Sequence, residues 1–173
     1  MKLMIVINVD KCLGCKSCEM ACAVEHSSSQ SLLQAIRESP APRARVSVRQ
    51  GTGYSVPLQC RQCENAPCVE ICPTNALHRD DLESPVVVDH DLCIGCNWCV
   101  LACPFGVIRI DSAQGAVIKC DQCAQRVERG ESPACVSACP TGALAFKTMD
   151  EILEEKREAS LVLIQRGLSG GET

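Results

Sequence analysis

Aromatic side chains are nearly absent. Tyr54, Trp98, Phe105 and Phe146 are the whole complement in a chain of 173 residues. A conventional core of that size uses more of them, so something other than side chains is expected to fill part of the interior. Long apolar runs are absent as well. The stretch Leu3–Val9 is too short for a signal peptide, shows no cleavage-site pattern and follows no twin arginine, and it reads as a strand. Leu161-Val162-Leu163-Ile164, the longest run near the other end, is far short of a membrane span. A cytoplasmic location with no transmembrane segment is the expectation. Neither a glycine-rich nucleotide loop nor a flavin fingerprint nor a catalytic triad is found. The formal net charge of −4 argues against nucleic acid as a partner.

Cysteine, by contrast, is in excess. Sixteen cysteines stand in four groups of four: Cys12-x2-Cys15-x2-Cys18-x3-Cys22, Cys60-x2-Cys63-x4-Cys68-x3-Cys72, Cys93-x2-Cys96-x2-Cys99-x3-Cys103 and Cys120-x2-Cys123-x11-Cys135-x3-Cys139. The last three groups run directly into Pro73, Pro104 and Pro140. The pattern C-x2-C-x2-C-x3-C-P is the ligand run of bacterial-type [4Fe–4S] clusters, whose fourth cysteine serves the other cluster of a pair. Sixteen thiolates supply four such clusters with none left over.

The spacing follows from the shape of a cubane. Its iron atoms occupy alternate corners, so ligands must approach from several sides. Three cysteines two residues apart wrap a loop around one face, and the fourth thiolate has to come from elsewhere. A cysteine three positions further on, read as standing at the start of a short helix, points toward a second cube. Proline after it fixes φ and redirects the chain without needing an amide hydrogen. The small loop residues Gly14, Ser17 and Gly95 let backbone N–H groups approach the sulfurs.

Two other uses of cysteine compete. Disulfides fit poorly, because two intervening residues is a bad spacing and nothing marks secretion. Structural zinc normally takes two C-x2-C pairs separated by a longer loop. The second and fourth groups pass that test singly, so a zinc-stabilised interaction module stays open as an alternative. The first and third groups do not pass it.

The chain is organised as a repeat. Asp10-Lys11-Cys12-Leu13-Gly14-Cys15 recurs as Asp91-Leu92-Cys93-Ile94-Gly95-Cys96, each after an apolar strand, Leu3–Val9 or Val86–Val88. Cys72-Pro73-Thr74-Asn75-Ala76-Leu77 recurs as Cys139-Pro140-Thr141-Gly142-Ala143-Leu144. Each unit reads as strand, cluster loop, short helix begun near the fourth cysteine, and return strand. Two units make a two-cluster ferredoxin, so the expected fold is α+β: two bacterial-type two-cluster modules related by pseudo-symmetry, with inserted β-hairpins and a C-terminal helix. Residues 27–57 insert a helical pattern at Leu32–Glu38 and a hairpin, Ala44–Arg49 and Tyr54–Leu58 about a Gln50–Gly53 turn. Residues 107–119 form a second hairpin turning at Ser112–Gly115, and Ala124–Pro133 is a helical excursion. After Lys147 an amphipathic helix carries Ile152, Leu153 and Leu161, and Gly167–Thr173 looks frayed.

The order of the four groups, the x4 gap in Cys63-Glu64-Asn65-Ala66-Pro67-Cys68 and the long gap in the fourth group resemble the four-cluster electron-transfer subunits of the dimethyl-sulfoxide-reductase and formate-dehydrogenase type. Short members include the formate hydrogenlyase iron–sulfur subunit and the ferredoxin-like partner of carbon monoxide dehydrogenase. The run Cys18-Glu19-Met20-Ala21-Cys22-Ala23-Val24-Glu25-His26-Ser27 looks most like the last of these. The resemblance spans roughly residues 3–148. It implies that the first and fourth groups pair, as do the second and third. One [4Fe–4S] cluster then takes Cys12, Cys15, Cys18 and Cys139, and a second takes Cys22, Cys120, Cys123 and Cys135. A third takes Cys60, Cys63, Cys68 and Cys103, and the fourth takes Cys72, Cys93, Cys96 and Cys99. Residues 1–26 with 104–148 form one module on this reading, and 58–103 the other; 149–173 is the C-terminal helix and tail. The presence of Cys96 implies that all four clusters hold four irons. Ala23, standing where the other groups have proline, leaves the following helix free to continue.

The resemblance implies an electron-transfer subunit, not an enzyme, relaying electrons between an oxidoreductase partner (carbon monoxide dehydrogenase, formate dehydrogenase or hydrogenase) and an acceptor. A catalytic role would need an open iron site, whereas every iron here has a cysteine. A free polyferredoxin is the alternative, but the insertions and the C-terminal helix favour a fixed subunit. That helix has more apolar residues than one stripe needs, which points to contact with a partner or another copy. Trp98 beside Cys99 reads as shielding. Arg43, Arg45 and Arg49 read as a solvated basic strand face. His26, His78 and His90 read as surface or loop residues, since cysteine already completes the ligand count.

Overall fold

The computed structural model describes residues 2–111 and 115–169 and has an α+β architecture. In chain order the strands are β1 (Leu3–Ile7), β2 (Ser47–Gly51), β3 (Tyr54–Leu58), β4 (Leu77–His78), β5 (Val87–Val88), β6 (Arg109–Asp111), β7 (Ala116–Ile118) and β8 (Leu144–Thr148). The helices are α1 (Ser17–Glu25), α2 (Leu32–Ala35), α3 (Pro67–Glu70), α4 (Trp98–Ala102), α5 (Ala124–Glu128), α6 (Ala134–Ser137) and α7 (Met149–Ser169).

The described strands make only antiparallel pairs: β1 with β8, β2 with β3, β4 with β5, and β6 with β7. Two of these pairs decide where the cysteines go. β1 leads into the first cysteine group and β8 leaves the fourth, so pairing Leu3 with Thr148 and Ile7 with Leu144 draws those two groups together. β4 leaves the second group and β5 leads into the third, and Leu77 stands opposite Val88. Two apolar cores follow. Ile5, Val46, Val48 and Leu144 pack with Cys18, Cys22, Cys120 and Cys135. Leu77, Val86, Ile108 and Val117 pack with Cys68 and Cys99. Buried side chains are mostly Ala, Val, Ile, Leu and Cys, and none of the four aromatics is among them.

The short helices sit elsewhere than expected. They lie between the third and fourth cysteines of each group instead of beginning at the fourth: α3 holds Cys68 and ends before Cys72, and α4 holds Cys99 and ends before Cys103. The C-x3-C interval is about one helical turn. The proline after the fourth cysteine disfavours the α region for that cysteine, so the turn stops there. In α1, where Ala23 replaces proline, the helix runs on through Cys22 to Glu25.

Insertions show smaller differences. The first hairpin strand starts at Ser47, not Ala44, and the helical pattern at Leu32 closes after Ala35. The second hairpin has three paired positions, Arg109–Ile118 to Asp111–Ala116. Most of its turn, 112–114, lies outside the described residues, as do 170–173 of the tail. α7 begins directly at the end of β8 and packs against that strand. Its start is fastened where the Thr148 amide and hydroxyl donate to Glu151, at 2.7 and 2.9 Å. Leu153, Leu161, Val162, Leu163 and Ile164 on it are exposed.

Truncation after Thr148 should therefore cost less than about 1 kcal/mol, since it removes exposed polar contacts that are individually weak. Leu77→Ala, at a side chain 1% exposed, should cost about 2–5 kcal/mol. Anaerobic chemical denaturation of both variants checks the contrast; an equally severe truncation would make α7 part of the folded unit.

Candidate metal centres

Sulfur converges at four places. One cavity is lined by Cys12, Cys15, Cys18 and Cys139. A second is lined by Cys60, Cys63, Cys68 and Cys103, and a third by Cys72, Cys93, Cys96 and Cys99. Cys135, buried on α6, lies within electrostatic reach of Cys22, Cys120 and Cys123, all buried themselves. All sixteen cysteines are free thiols. The remaining lining of the three cavities is largely apolar, with Val48, Leu144, Val86, Ile108, Ile94 and Val117 prominent. Four sulfurs in a largely apolar hollow form a donor set suited to a soft, thiophilic centre, [4Fe–4S] or zinc.

Each gathering adjoins the next through a pair of neighbouring cysteines. Cys18 and Cys22 share α1, and Cys135 couples to Cys18. Cys120 neighbours both Cys22 and Cys60, and Cys60, which packs against the first core, also lines the cavity of Cys63, Cys68 and Cys103. Cys99 couples to Cys68, and α3 packs on α4. The exposed cysteines, Cys15 and Cys96, belong to the two outer sets.

Backbone conformation turns amides toward sulfur. Gln62 and Gln122 occupy the same place in Cys60-Arg61-Gln62-Cys63 and Cys120-Asp121-Gln122-Cys123, with φ of 50° and 59°. In each the glutamine amide donates to the preceding cysteine sulfur at 3.4 Å. Lys16 and Asn97 both have φ 62° just after the second cysteine of their groups and open α1 and α4. Gly14 and Gly95 precede those cysteines at φ 68° and 67°. Space forbids a side chain at Gly95, where a Cβ would lie 2.3 Å from the Gly115 carbonyl; at Gly14 the positive φ is the constraint, the nearest atom to a Cβ being the Ser55 hydroxyl at 2.7 Å.

Thiol acidity separates buried ligands from half-buried and exposed ones. Burial pushes Cys18, Cys99 and Cys123 up to about 11 and Cys120 up to about 12, and it raises Cys135 and Cys68 too. Burial also raises Cys72, but the amides of Leu77, Thr74 and Ala76 and the Thr74 hydroxyl outweigh it and hold that thiol below the ordinary range. Cys139 is lowered in the same manner by Leu144, Thr141 and Ala143. A bond with the Ser17 hydroxyl, at 3.4 Å, lowers Cys15. Cysteine binds metal as thiolate, so filling these sites displaces protons from the buried members.

Three charged residues read from sequence as solvent-facing or passed over form one network. His26 has a side chain only 12% exposed, not the surface residue expected. Its Nδ1 donates to the Cys22 carbonyl at 2.8 Å and its Nε2 faces Asp121 Oδ1 at 3.2 Å. Arg45 does not stand on a solvated strand face: it precedes β2, pairs with Asp121 at 2.6 Å, and its amide donates to Cys22 Sγ at 3.2 Å. His78 is half-buried in β4 and His90 is exposed. Trp98 is 54% exposed and does not line the neighbouring cavity. The signal for Asp121 lay in Lys119-Cys120-Asp121-Gln122-Cys123, where charged residues flank buried ligands.

Comparison with known proteins agrees with this geometry. Residues 52–149 match the 4Fe-4S dicluster domain, and residues 9–25 match a 4Fe-4S binding domain. The chain belongs to the 4Fe-4S dicluster domain family. It is 41% identical over 169 residues to an "Iron-sulfur protein" of Rhodospirillum rubrum, covering 91% of this chain and 88% of the relative. The "Thiosulfate reductase electron transfer subunit PhsB" of Salmonella typhi is 42% identical over 142 residues, covering 82% and 73%. The "Electron transport protein HydN" of Escherichia coli K12 is 35% identical over 183 residues, covering 94% and 99%. No helix among the described residues is long and apolar enough to cross a membrane.

The His26–Asp121 pair makes stability depend on pH in a definite direction. Burial raises Asp121, but the bond from His26 and the charge of Arg45 prevail and hold it well below its ordinary 3.8, so its contribution is present above about pH 4 and lost in acid. Burial lowers His26, but Asp121 and Cys22 prevail and raise it from 6.5 to about 9; its contribution is full below 6.5 and lost as pH rises through about 9. His26→Gln in the metal-loaded protein should cost about 1.5–3 kcal/mol near pH 6. Anaerobic unfolding from pH 5 to 10 should show that deficit shrinking above pH 9; a constant deficit would assign His26 to packing alone.

Proposed function

We propose that the chain is a four-cluster electron-transfer subunit of an oxidoreductase complex, without catalysis of its own. The observation carrying this is the convergence of four cysteines, drawn from two groups, at each of four adjoining places. On this reading Cys12, Cys15, Cys18 and Cys139 hold one [4Fe–4S] cluster, and Cys22, Cys120, Cys123 and Cys135 the next. Cys60, Cys63, Cys68 and Cys103 hold the third, and Cys72, Cys93, Cys96 and Cys99 the fourth. Residues 1–26 with 104–148 then form one two-cluster module and 58–103 the other, pseudo-symmetric with it. The shared φ values at Lys16 and Asn97, and at Gln62 and Gln122, support that symmetry. Bound clusters supply one-electron redox chemistry at these sites. The cysteines fix their positions, the Gln62, Gln122 and Arg45 amides donate to sulfur, and the apolar linings limit water.

A subunit, as opposed to a free carrier, is favoured by the insertion at 27–57, by exposed apolar residues on α7, and by relatives named for electron transfer within a reductase. We assign the partner to the class of carbon monoxide dehydrogenase, formate dehydrogenase or hydrogenase on the order and gaps of the cysteine groups, and favour the first of these on the Cys18–Ser27 run. We place it in the reducing cytoplasm, where cysteines used as metal ligands are kept from forming disulfides. α7 serves as the clamp to that partner or to a second copy.

The pairing is tested by Cys22→Ser, which should disturb the cluster of Cys120, Cys123 and Cys135 and leave that of Cys12, Cys15 and Cys18 largely intact in electron paramagnetic resonance. Damage confined to the latter would refute the exchange. Removal of 149–173 should keep the iron and abolish co-purification with the native oxidoreductase from its own cells; unchanged co-purification would exclude the clamp.

A further inference from the structure

Lys119 is the one charged residue among the buried side chains described, at 2% exposure. It stands between β7 and Cys120 and reaches back across the seam between the two cores. Its ammonium donates to the Val86 carbonyl, and to the Cys120 carbonyl at 2.9 Å. Val86 lines the cavity of Cys60, Cys63, Cys68 and Cys103, and Cys120 belongs to the neighbouring set. A neutral bridge runs beside it. Gln62, equally buried, donates from Nε2 to the Cys120 carbonyl at 2.9 Å and accepts from the Val86 amide at 2.8 Å.

Gln62 already ties the two segments together, so mechanical fastening does not account for a cation there. Removing an ammonium from water is costly unless an opposite charge meets it. Carbonyls offer only dipoles, and no carboxylate among the described residues forms an ion pair with Lys119. The residues it bonds to place it between the cavity of Cys60, Cys63, Cys68 and Cys103 and the set that holds Cys120, so the thiolates of those two sets and whatever they bind are the negative charge left to meet it.

We propose that Lys119 is a built-in countercharge for the two central cysteine sets, raising the reduction potential of the clusters held there relative to the outer two. The inference rests on the four-cluster reading and deepens it. Each cluster gains one electron and one negative charge when it passes from 2+ to 1+, and a fixed cation close by favours the reduced form. Electrons entering at either outer set then settle toward the middle of the chain. Lys119 acts as a positioning charge, not as a ligand.

The test is a redox titration of the full-length, iron-loaded protein, followed by electron paramagnetic resonance with dithionite as reductant. Wild type, Lys119→Met and Gln62→Leu are compared. Lys119→Met should lower one or two of the four midpoints by at least a tenfold change in the reduction equilibrium, 59 mV for one electron, leaving the others in place. Gln62→Leu, which breaks the neutral bridge across the same seam, should shift them by less. Unchanged midpoints in Lys119→Met, or an equal shift in Gln62→Leu, would overturn the proposal. If Lys119→Met loses iron, Lys119→Gln replaces it. Loss from both neutral variants with retention in Lys119→Arg supports a required charge, and loss from all three assigns the residue to packing. A wild type without clusters would refute the four-cluster reading itself.

Discussion

Convergence of sulfur is the constraint on which the rest depends. Sixteen cysteines are brought into four sets, each drawn from two separated stretches of chain. The strand pairs β1–β8 and β4–β5 exist at the places needed to bring those stretches together. Around them the apolar interior is modest: two cores of Ala, Val, Ile and Leu in which cysteine is a regular member. The near absence of aromatics follows, because the volume they normally fill belongs to the sites. A protein arranged this way draws much of its folding free energy from metal binding.

Polar groups near the sulfurs divide into two kinds. Backbone amides reach sulfur at both inner and outer sets: those of Gln62, Gln122 and Arg45 donate to Cys60, Cys120 and Cys22, and others favour negative charge on Cys72 and Cys139. Charged side chains lie at the inner sets, with half-buried Asp121, His26 and Arg45 on one side and buried Lys119 at the seam. The two exposed cysteines, Cys15 and Cys96, belong to the outer sets. Both kinds of group, with exposure, set the potential of a thiolate-held cluster.

Much of this was legible in the sequence because ligand spacing is local. The C-x2-C-x2-C-x3-C-P run carries the loop, the turn and its end within a dozen residues, and the short hairpins carry their own turn signals. Helix placement was misread because C-x3-C was taken as the approach to a helix, whereas it is the helix. His26 was misread for a different reason: its partner Asp121 lies 95 positions away, so nothing near it in the chain announces burial. Arg45 looked like one of a basic row until the same carboxylate was seen to hold it. Lys119 and Gln62 stand directly beside and between ligands, yet their burial depends on Val86 in another segment.

The central claim, that the four sulfur gatherings are [4Fe–4S] sites, is tested most directly by counting. Protein purified without oxygen should carry about sixteen iron and about sixteen acid-labile sulfide per chain, four of each for every four cysteines. A folded preparation that holds zinc and no iron would contradict it.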